Sequence, residues 1–165
     1  LLTVGWWHSA PVWIVRSLVG LGIARVAEIV IYQINVVLFD EWRAKRARVK
    51  PPFAVRSCRR LVILALHNYF EILLWFATFY AATEKAFRTA CDGLSLSTVW
   101  GAFYHSMLTM TTLGYGDIYP HRGEWLAALL AISQTLIGVF LALVVLARFV
   151  ALVPRPLTMD ENEGG

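Results

Sequence analysis

Two long runs of apolar residues, at 61–83 and 125–153, are the strongest pattern along this chain. The first run contains one formally charged residue, Glu71, and the second contains only Arg148, near its end. A helix needs about 20 residues to cross roughly 30 Å of hydrocarbon, so each run is long enough to span a membrane. We therefore predict an all-α membrane protein with membrane helices at 61–83 and 124–153.

The segment between these two helices contains a predicted loop, a predicted short helix and a run without a helical pattern, in that order. Residues 84–96 contain Asp, Gly and Ser and are typical of a loop. Residues 97–110 are typical of a short helix, and Ser97 is the predicted N-cap because its hydroxyl can accept a bond from the first turn. The C-terminal end of this short helix is then directed at residues 111–117, which have no helical pattern.

The N-terminal residues 12–39 form a third apolar stretch, which is interrupted by Arg16, Arg25 and Glu28. One interpretation is a further membrane helix whose polar half faces the rest of the protein, so that Arg25 approaches Glu71. The other is an amphipathic helix lying in the membrane interface. The apolar residues 29–39 favour the membrane helix. A voltage sensor is not indicated, because such helices carry arginine at every third position.

Composition and charge agree with a membrane location. The chain has 165 residues, of which 58% are hydrophobic, and a mean hydropathy of +0.60, which is high for a soluble domain. Basic residues concentrate between the apolar stretches 12–39 and 61–83, which predicts a cytoplasmic segment at 43–60 and an anionic-lipid partner rather than nucleic acid. The cluster consists of Arg43, Lys45, Arg46, Arg48, Lys50, Arg56, Arg59 and Arg60. The predicted divisions are 1–60, the unit 61–153, and a cytoplasmic tail at 154–165.

Residues 109–117 read TMTTLGYGD. This run resembles the selectivity filter of the potassium channel family, Thr-Val-Gly-Tyr-Gly-Asp, with Leu113 in place of the valine. Backbone oxygens replace the water of an ion only if successive peptides point at one axis. That conformation requires positive φ at alternate positions, which glycine adopts without steric cost. Gly114 and Gly116 stand at alternate positions and suit this requirement.

The resemblance implies the family's pore fold over residues 61–153: an outer helix, a re-entrant pore helix at 97–110, a filter at 111–117 and an inner helix. It also implies a homotetramer in the plasma membrane, with the filter mouth extracellular, that conducts K⁺ passively. The permeant K⁺ is the only cofactor expected. The predicted ion-binding residues are Thr112, Leu113, Gly114, Tyr115 and Gly116, with the Thr112 hydroxyl below the lowest carbonyl.

The resemblance also assigns residues around the filter. Asp117 matches the family aspartate that bonds behind the filter to an aromatic donor, and Tyr104 stands at the donor position; the alternative is a solvated charge at the mouth. Thr111 is the third predicted supporting residue. Tyr119 is placed at the outer mouth, where relatives stack an aromatic ring on quaternary ammonium blockers, or is an ordinary interfacial tyrosine.

Small residues on the second membrane helix form a stripe at Thr135, Gly138 and Ala142, which the resemblance places toward a wet cavity or gate. The alternative is that small residues only let helices pack closely. Gly138 lies about one turn beyond the hinge glycine of many relatives, where this chain has Gln134. On the first membrane helix, His67 and Glu71 share a face and are interpreted as a static pair rather than a pH switch.

Other functions remain as alternatives. The same scaffold supports a poorly selective cation channel, and a non-conducting membrane subunit of a larger complex is also compatible with the sequence. An ion transporter with related pore loops is disfavoured, because such proteins use several non-identical loops in one long chain. No spacing of metal ligands, and no nucleophile with a paired base, indicates an enzyme.

Overall fold

The structure, a computed structural model, describes residues 10–46, 52–90 and 94–152. Helix and strand order is α1 Val12–Arg46, α2 Pro52–Ala82, β1 Phe87–Thr89, α3 Val99–Met110, β2 Ile118–Pro120 and α4 Trp125–Leu152, with a 3-10 turn at Glu84–Ala86 before β1. Two helices in this part of the chain are long and apolar enough to cross a membrane, by their segments Val62–Ala82 and Trp125–Ala147. The all-α membrane fold predicted from the sequence is therefore confirmed.

The bounds of the two apolar helices show what hydropathy can and cannot locate. Helix α4 agrees with the predicted 124–153 to within one residue at each described end. Helix α2 has its apolar span at Val62–Ala82, close to the predicted 61–83, and the helix itself extends back from that span to Pro52. Proline is well suited to a first helical position, and arginine is a good helix former in water. Hydropathy therefore identifies the membrane segment and not the whole helix.

The core lies where α2, α3 and α4 meet. Helix α3 packs against both long helices, and its last residue, Met110, is buried in the same apolar cluster as Ile72 and Tyr80 of α2 and Leu141 of α4. Aromatic rings of α2 line this cluster, with Phe76 and Tyr80 in contact at a centroid distance of 6.4 Å. The short helix α3 is thus packed against α2 on one side and α4 on the other, up to its end at Met110.

Helix α1 packs antiparallel along α2. Gly22 lies so close to α2 that a Cβ atom there would be 2.5 Å from the Trp75 ring. One turn further along α1, Arg25 donates to Glu71 from Nε to Oε1 at 2.7 Å and from a terminal nitrogen to Oε2 at 3.4 Å. This is the contact that the membrane-helix interpretation predicts. Glu71 also lies 3.9 Å from the His67 ring nitrogen, which is consistent with a static cluster.

A two-stranded sheet replaces part of the loop predicted at 84–96. Strand β1 pairs antiparallel with β2, with Phe87 opposite Pro120, Arg88 opposite Tyr119 and Thr89 opposite Ile118. Strands of three residues are too short to produce a readable alternation, so they could not be predicted from the sequence. The sheet joins the chain before α3 to the chain after residue 117. Two of the predictions concern residues that lie outside the described ranges. They are the basic residues Arg48 and Lys50 and the tail 154–165, whose cytoplasmic location stays a prediction.

Candidate functional site

The short helix α3 begins at a threonine rather than at the predicted serine. Thr98 has an extended backbone, with φ −100° and ψ 146°, and its Oγ1 accepts a hydrogen bond from the Gly101 amide at 3.0 Å. Ser97 is not the cap, because its hydroxyl instead bonds the Ser95 hydroxyl at 2.7 Å. Thr98 Oγ1 also donates to the Ser95 carbonyl at 2.8 Å, which fixes the entry of the chain into the helix.

At the other end of α3, the chain turns its amides back onto the helix. The Thr112 amide donates to the Thr109 carbonyl at 3.1 Å, and the Leu113 amide donates to the Leu108 carbonyl at 3.0 Å. The described part has no cis peptide bond, and in a trans peptide the N–H and the C=O point in opposite directions. The carbonyls of Thr111 and Thr112 therefore point away from α3.

Backbone dihedrals alternate through this loop. Thr112, Gly114 and Gly116 have φ of 61°, 49° and 80°, while the residues between them do not have positive φ. The two glycines were expected to adopt this conformation, but the threonine was not, because positive φ is rare for β-branched residues. Such a conformation persists in a non-glycine residue only where its surroundings hold it. Here the hydrogen bonds from the Thr112 and Leu113 amides to α3 do so.

The loop at 111–116 is exposed along its whole length in the single chain. Its two large apolar side chains are open as well, with Leu113 58% and Tyr115 67% exposed. A Cβ atom added at Gly114 or Gly116 would meet nothing within 4 Å. The described residues of one chain therefore leave this row of backbone groups uncovered.

Beyond the loop, the chain is tied down at Asp117. Tyr104 of α3 donates its hydroxyl to Asp117 Oδ2 at 2.6 Å, which is the hydrogen bond expected from the sequence. The Ala90 amide donates to the Asp117 carbonyl at 2.7 Å, so the segment beside β1 holds the same residue from the other side. Ile118 follows directly and is buried. The loop is thus anchored to α3 at its start and to both α3 and the small sheet at its end.

Removing the Tyr104 hydroxyl should loosen the end of this loop. We expect Tyr104→Phe to speed amide hydrogen exchange at residues 114–118 of the assembled protein by about tenfold or more, since hydrogen bonds to charged groups contribute about 1.5–3 kcal/mol. Tyr119→Phe is the matched control, because the Tyr119 hydroxyl makes no hydrogen bond among the described residues. Equal exchange in Tyr104→Phe and wild type would show that this hydrogen bond does not hold the loop.

The residues predicted for a mouth and a cavity lie in three different settings. Tyr119 is 46% exposed and sits opposite Arg88 in the sheet. Thr135 donates its hydroxyl to the Ala131 carbonyl of its own helix at 2.9 Å, and Ala142 is exposed. Gly138 is buried, and a Cβ atom there would be 2.5 Å from the Met110 carbonyl oxygen. The predicted cavity stripe is therefore not one continuous surface, and Gly138 follows the close-packing alternative.

Sequence reasoning missed a buried polar group of residues behind the loop. Gln134 of α4, Ser106 of α3 and Tyr80 of α2 have essentially no exposed surface and are joined by hydrogen bonds. His105 is buried beside them, with its ring centroid 4.4 Å from that of Tyr80. The sequence feature that could have revealed this network is Gln134, a polar amide inside an apolar helix. A polar group buried in such a helix is normally hydrogen-bonded, so partners on neighbouring helices could have been expected.

Comparison with known proteins gives one family. A family model described as an ion channel matches residues 68–154, which is more than half of the chain. The matched region runs from the middle of α2 through α3 and the loop to the end of α4. No curated protein and no solved structure gives a significant match.

Proposed function

Since this chain belongs to the ion channel family, we propose that it is a potassium-selective channel in which four copies surround one pore. The observation that carries the proposal is the loop at 111–116, with its TLGYG sequence and its positive φ at every second residue. Two apolar helices of spanning length flank that loop, as expected of a membrane protein in this family.

The geometry of the loop suits a dehydrated cation. Carbonyl oxygens directed away from α3 present one polar row to whatever faces the loop, and carbonyl rings of this kind replace the hydration shell of K⁺. The proposed ion sites are the carbonyls of Thr112, Leu113, Gly114 and Tyr115, with the Thr112 hydroxyl at the lower end. Helix α3 points its C-terminus toward this row, and the partial negative charge there favours a cation.

A single chain contributes one such row, so the cage requires further copies. Members of this family generally form oligomers in membranes. Irregular backbone at membrane depth is tolerated only where it is buried in protein or lines water. The exposed Leu113 and Tyr115 side chains are suited to burial against neighbouring copies, while their carbonyls face the pore. We therefore propose a homotetramer with K⁺ as its permeant ion and lipid as its surroundings.

The proposed arrangement in the plasma membrane follows the charges. The basic segment 43–60 lies in the cytoplasm against anionic lipid, and the filter mouth opens outside. Helix α1 is a third membrane helix. Arg25 pairs with Glu71, which lies near the middle of the candidate spanning segment Val62–Ala82, and this contact supports placing α1 at the same depth as α2. A charged side chain at that depth is expensive unless it is paired.

Breaking that ion pair on one side should destabilise the protein. We expect Glu71→Gln to leave Arg25 with Glu28 as its one carboxylate partner among the described residues, at 2.8 Å, and to lower the thermal midpoint of the assembled protein in lipid. A charge at the centre of a membrane helix costs about 2.5–3.5 kcal/mol on insertion scales, and the remaining partner Glu28 offsets part of that cost. The measurement is the heat-dependent loss of assembled protein from nanodiscs.

The exchanged pair Arg25→Glu with Glu71→Arg is the matched variant. It keeps both charges but places a carboxylate at position 25 beside Glu28, so it should recover part, and not all, of the lost thermal midpoint. Equal loss in the single and exchanged variants would show that the pair does not stabilise the fold. A Glu71→Gln variant as stable as wild type would place α1 in the interface rather than across the membrane.

Ion flux separates potassium selectivity from the alternatives. Vesicles loaded with K⁺ and diluted into Na⁺ with a protonophore should take up protons, reported by a pH dye, only when K⁺ leaves selectively. Uptake that requires the protein supports the proposed function. A poorly selective cation channel would dissipate the gradient without sustained uptake, and a non-conducting subunit would behave as empty vesicles do.

A further inference from the structure

Gln134 lies at the point where the three core helices meet, and its amide is fully used. Its Nε2 donates to the Ser106 carbonyl at 3.0 Å and to Ser106 Oγ at 2.7 Å, and its Oε1 accepts from the Tyr80 hydroxyl at 2.7 Å. Ser106 Oγ donates in turn to the Leu73 carbonyl at 2.7 Å. A backbone carbonyl can only accept, so the orientation of the Gln134 amide is determined by its partners.

A second contact joins the same two helices one turn further along. Gly138 follows Gln134 by four residues, and Met110 follows Ser106 by four residues, so the two contacts are in step. At Gly138, the α4 backbone comes so close to the Met110 carbonyl that no side chain fits between them. Met110 is the last residue of α3 and directly precedes the loop. A shift of α3 along α4 would break the first contact, and a tilt would break the second.

We propose that Gln134 is a positioning residue for the ion path: through Ser106 it fixes the height of α3 on α4, and thereby the spacing of the carbonyls at 112–115. The proposal rests on the proposed function, because it concerns how selectively the loop conducts. It assigns to α4 a direct part in the geometry of the loop, in addition to enclosing the pore. Removing the amide should leave the assembly able to form but with misplaced carbonyls.

A purely structural role predicts a different outcome, and the chain allows the two roles to be separated. Gln134→Met keeps the length of the side chain but leaves the Tyr80 and Ser106 hydroxyls without this partner. A buried donor or acceptor left unpaired is costly, whereas replacing all partners by apolar groups is nearly neutral. The triple variant Gln134→Met, Ser106→Ala and Tyr80→Phe removes every hydroxyl of the network, including the one that bonds the Leu73 carbonyl, and should therefore restore most of the stability without restoring the hydrogen bonds between α4 and α3.

The experiment measures two quantities on wild type, the single variant and the triple variant. The first is the thermal midpoint of the assembled protein in lipid, and the second is the potassium-to-sodium permeability ratio from reversal potentials. Ser133→Ala is the control on α4, because among the described residues the Ser133 hydroxyl bonds only the Leu130 carbonyl of its own helix, at 2.8 Å. It should match wild type in both quantities.

The expected result is a permeability ratio that falls by about fivefold to tenfold in the single variant, the factor that the loss of one hydrogen bond produces in an equilibrium. In the triple variant the thermal midpoint should recover while the permeability ratio stays low. A triple variant that recovers both quantities, or one that does not assemble, would make the network a folding element and overturn the proposal. A wild-type protein without potassium selectivity would instead reject the proposed function itself.

Discussion

Replacing Gly114 with alanine is expected to lower potassium selectivity strongly while the protein still assembles. Gly114 has φ of 49°, and a non-glycine residue in the left-handed region costs roughly 1–2 kcal/mol, so the peptide is driven toward another conformation. That rotation turns a carbonyl out of the row that faces the ion. Gly116, with φ of 80°, should behave in the same way. We expect the potassium-to-sodium permeability ratio to fall by about tenfold or more in either variant, since 1.4 kcal/mol corresponds to a factor of ten.

A third glycine provides the matched control for this experiment. Gly123 has φ of 94°, and, like Gly114 and Gly116, it has nothing within 4 Å of an added Cβ atom. Gly123→Ala therefore introduces comparable backbone strain outside the proposed filter. It should lower stability somewhat and leave the permeability ratio at the wild-type value. A ratio that falls equally in Gly123→Ala and Gly114→Ala would mean that general strain, and not the carbonyl row, controls selectivity.

The second large effect is expected at Gly138, where alanine should separate α4 from the end of α3. The new methyl carbon would lie 2.5 Å from the Met110 carbonyl oxygen and 3.2 Å from its carbon. These are backbone atoms, so they cannot rotate away as a flexible side chain can. Overpacking costs typically about 1–3 kcal/mol, and the better helix propensity of alanine offsets up to about 1 kcal/mol of this. We expect a net loss of stability and a lower thermal midpoint of the assembled protein.

Gly20 is the matched helical control for this second prediction. It lies in α1, and an added Cβ atom there meets none of the described residues within 4 Å. Gly20→Ala should be neutral or slightly stabilising, because alanine is favoured over glycine in a helix interior. A Gly138→Ala variant as stable as Gly20→Ala would show that α4 and α3 do not approach as closely in the assembled protein as in the single chain.

The features that the sequence predicted well are those that follow from local rules. Hydropathy located the two membrane segments, because lipid requires about 20 apolar residues in succession. Glycine spacing predicted positive φ at Gly114 and Gly116, because the backbone conformation there excludes most side chains. The hydrogen bond between Tyr104 and Asp117 followed from the resemblance. The roles in ion binding remain predictions that the flux and selectivity experiments test.

The features that the sequence did not predict depend on which segments meet in three dimensions. Strands β1 and β2 stabilise each other only as a pair, and neither has a pattern of its own. The positive φ of Thr112 is imposed by hydrogen bonds from backbone amides to α3 and not by the residue type. Gln134 was noted only as the residue at a family glycine position, although its hydrogen bonds join three helices. The close packing at Gly138 could not be predicted either, because it depends on the Met110 carbonyl that lies opposite it.

The most direct test of the central claim is the reversal potential of the wild-type protein in a planar bilayer, with KCl on one side and NaCl on the other. Conduction through the carbonyls of residues 112–115 predicts a reversal potential close to the potassium equilibrium potential, and the Gly114→Ala variant should lose it. A wild-type reversal potential near zero would contradict the account, because it would show a pathway that does not distinguish K⁺ from Na⁺.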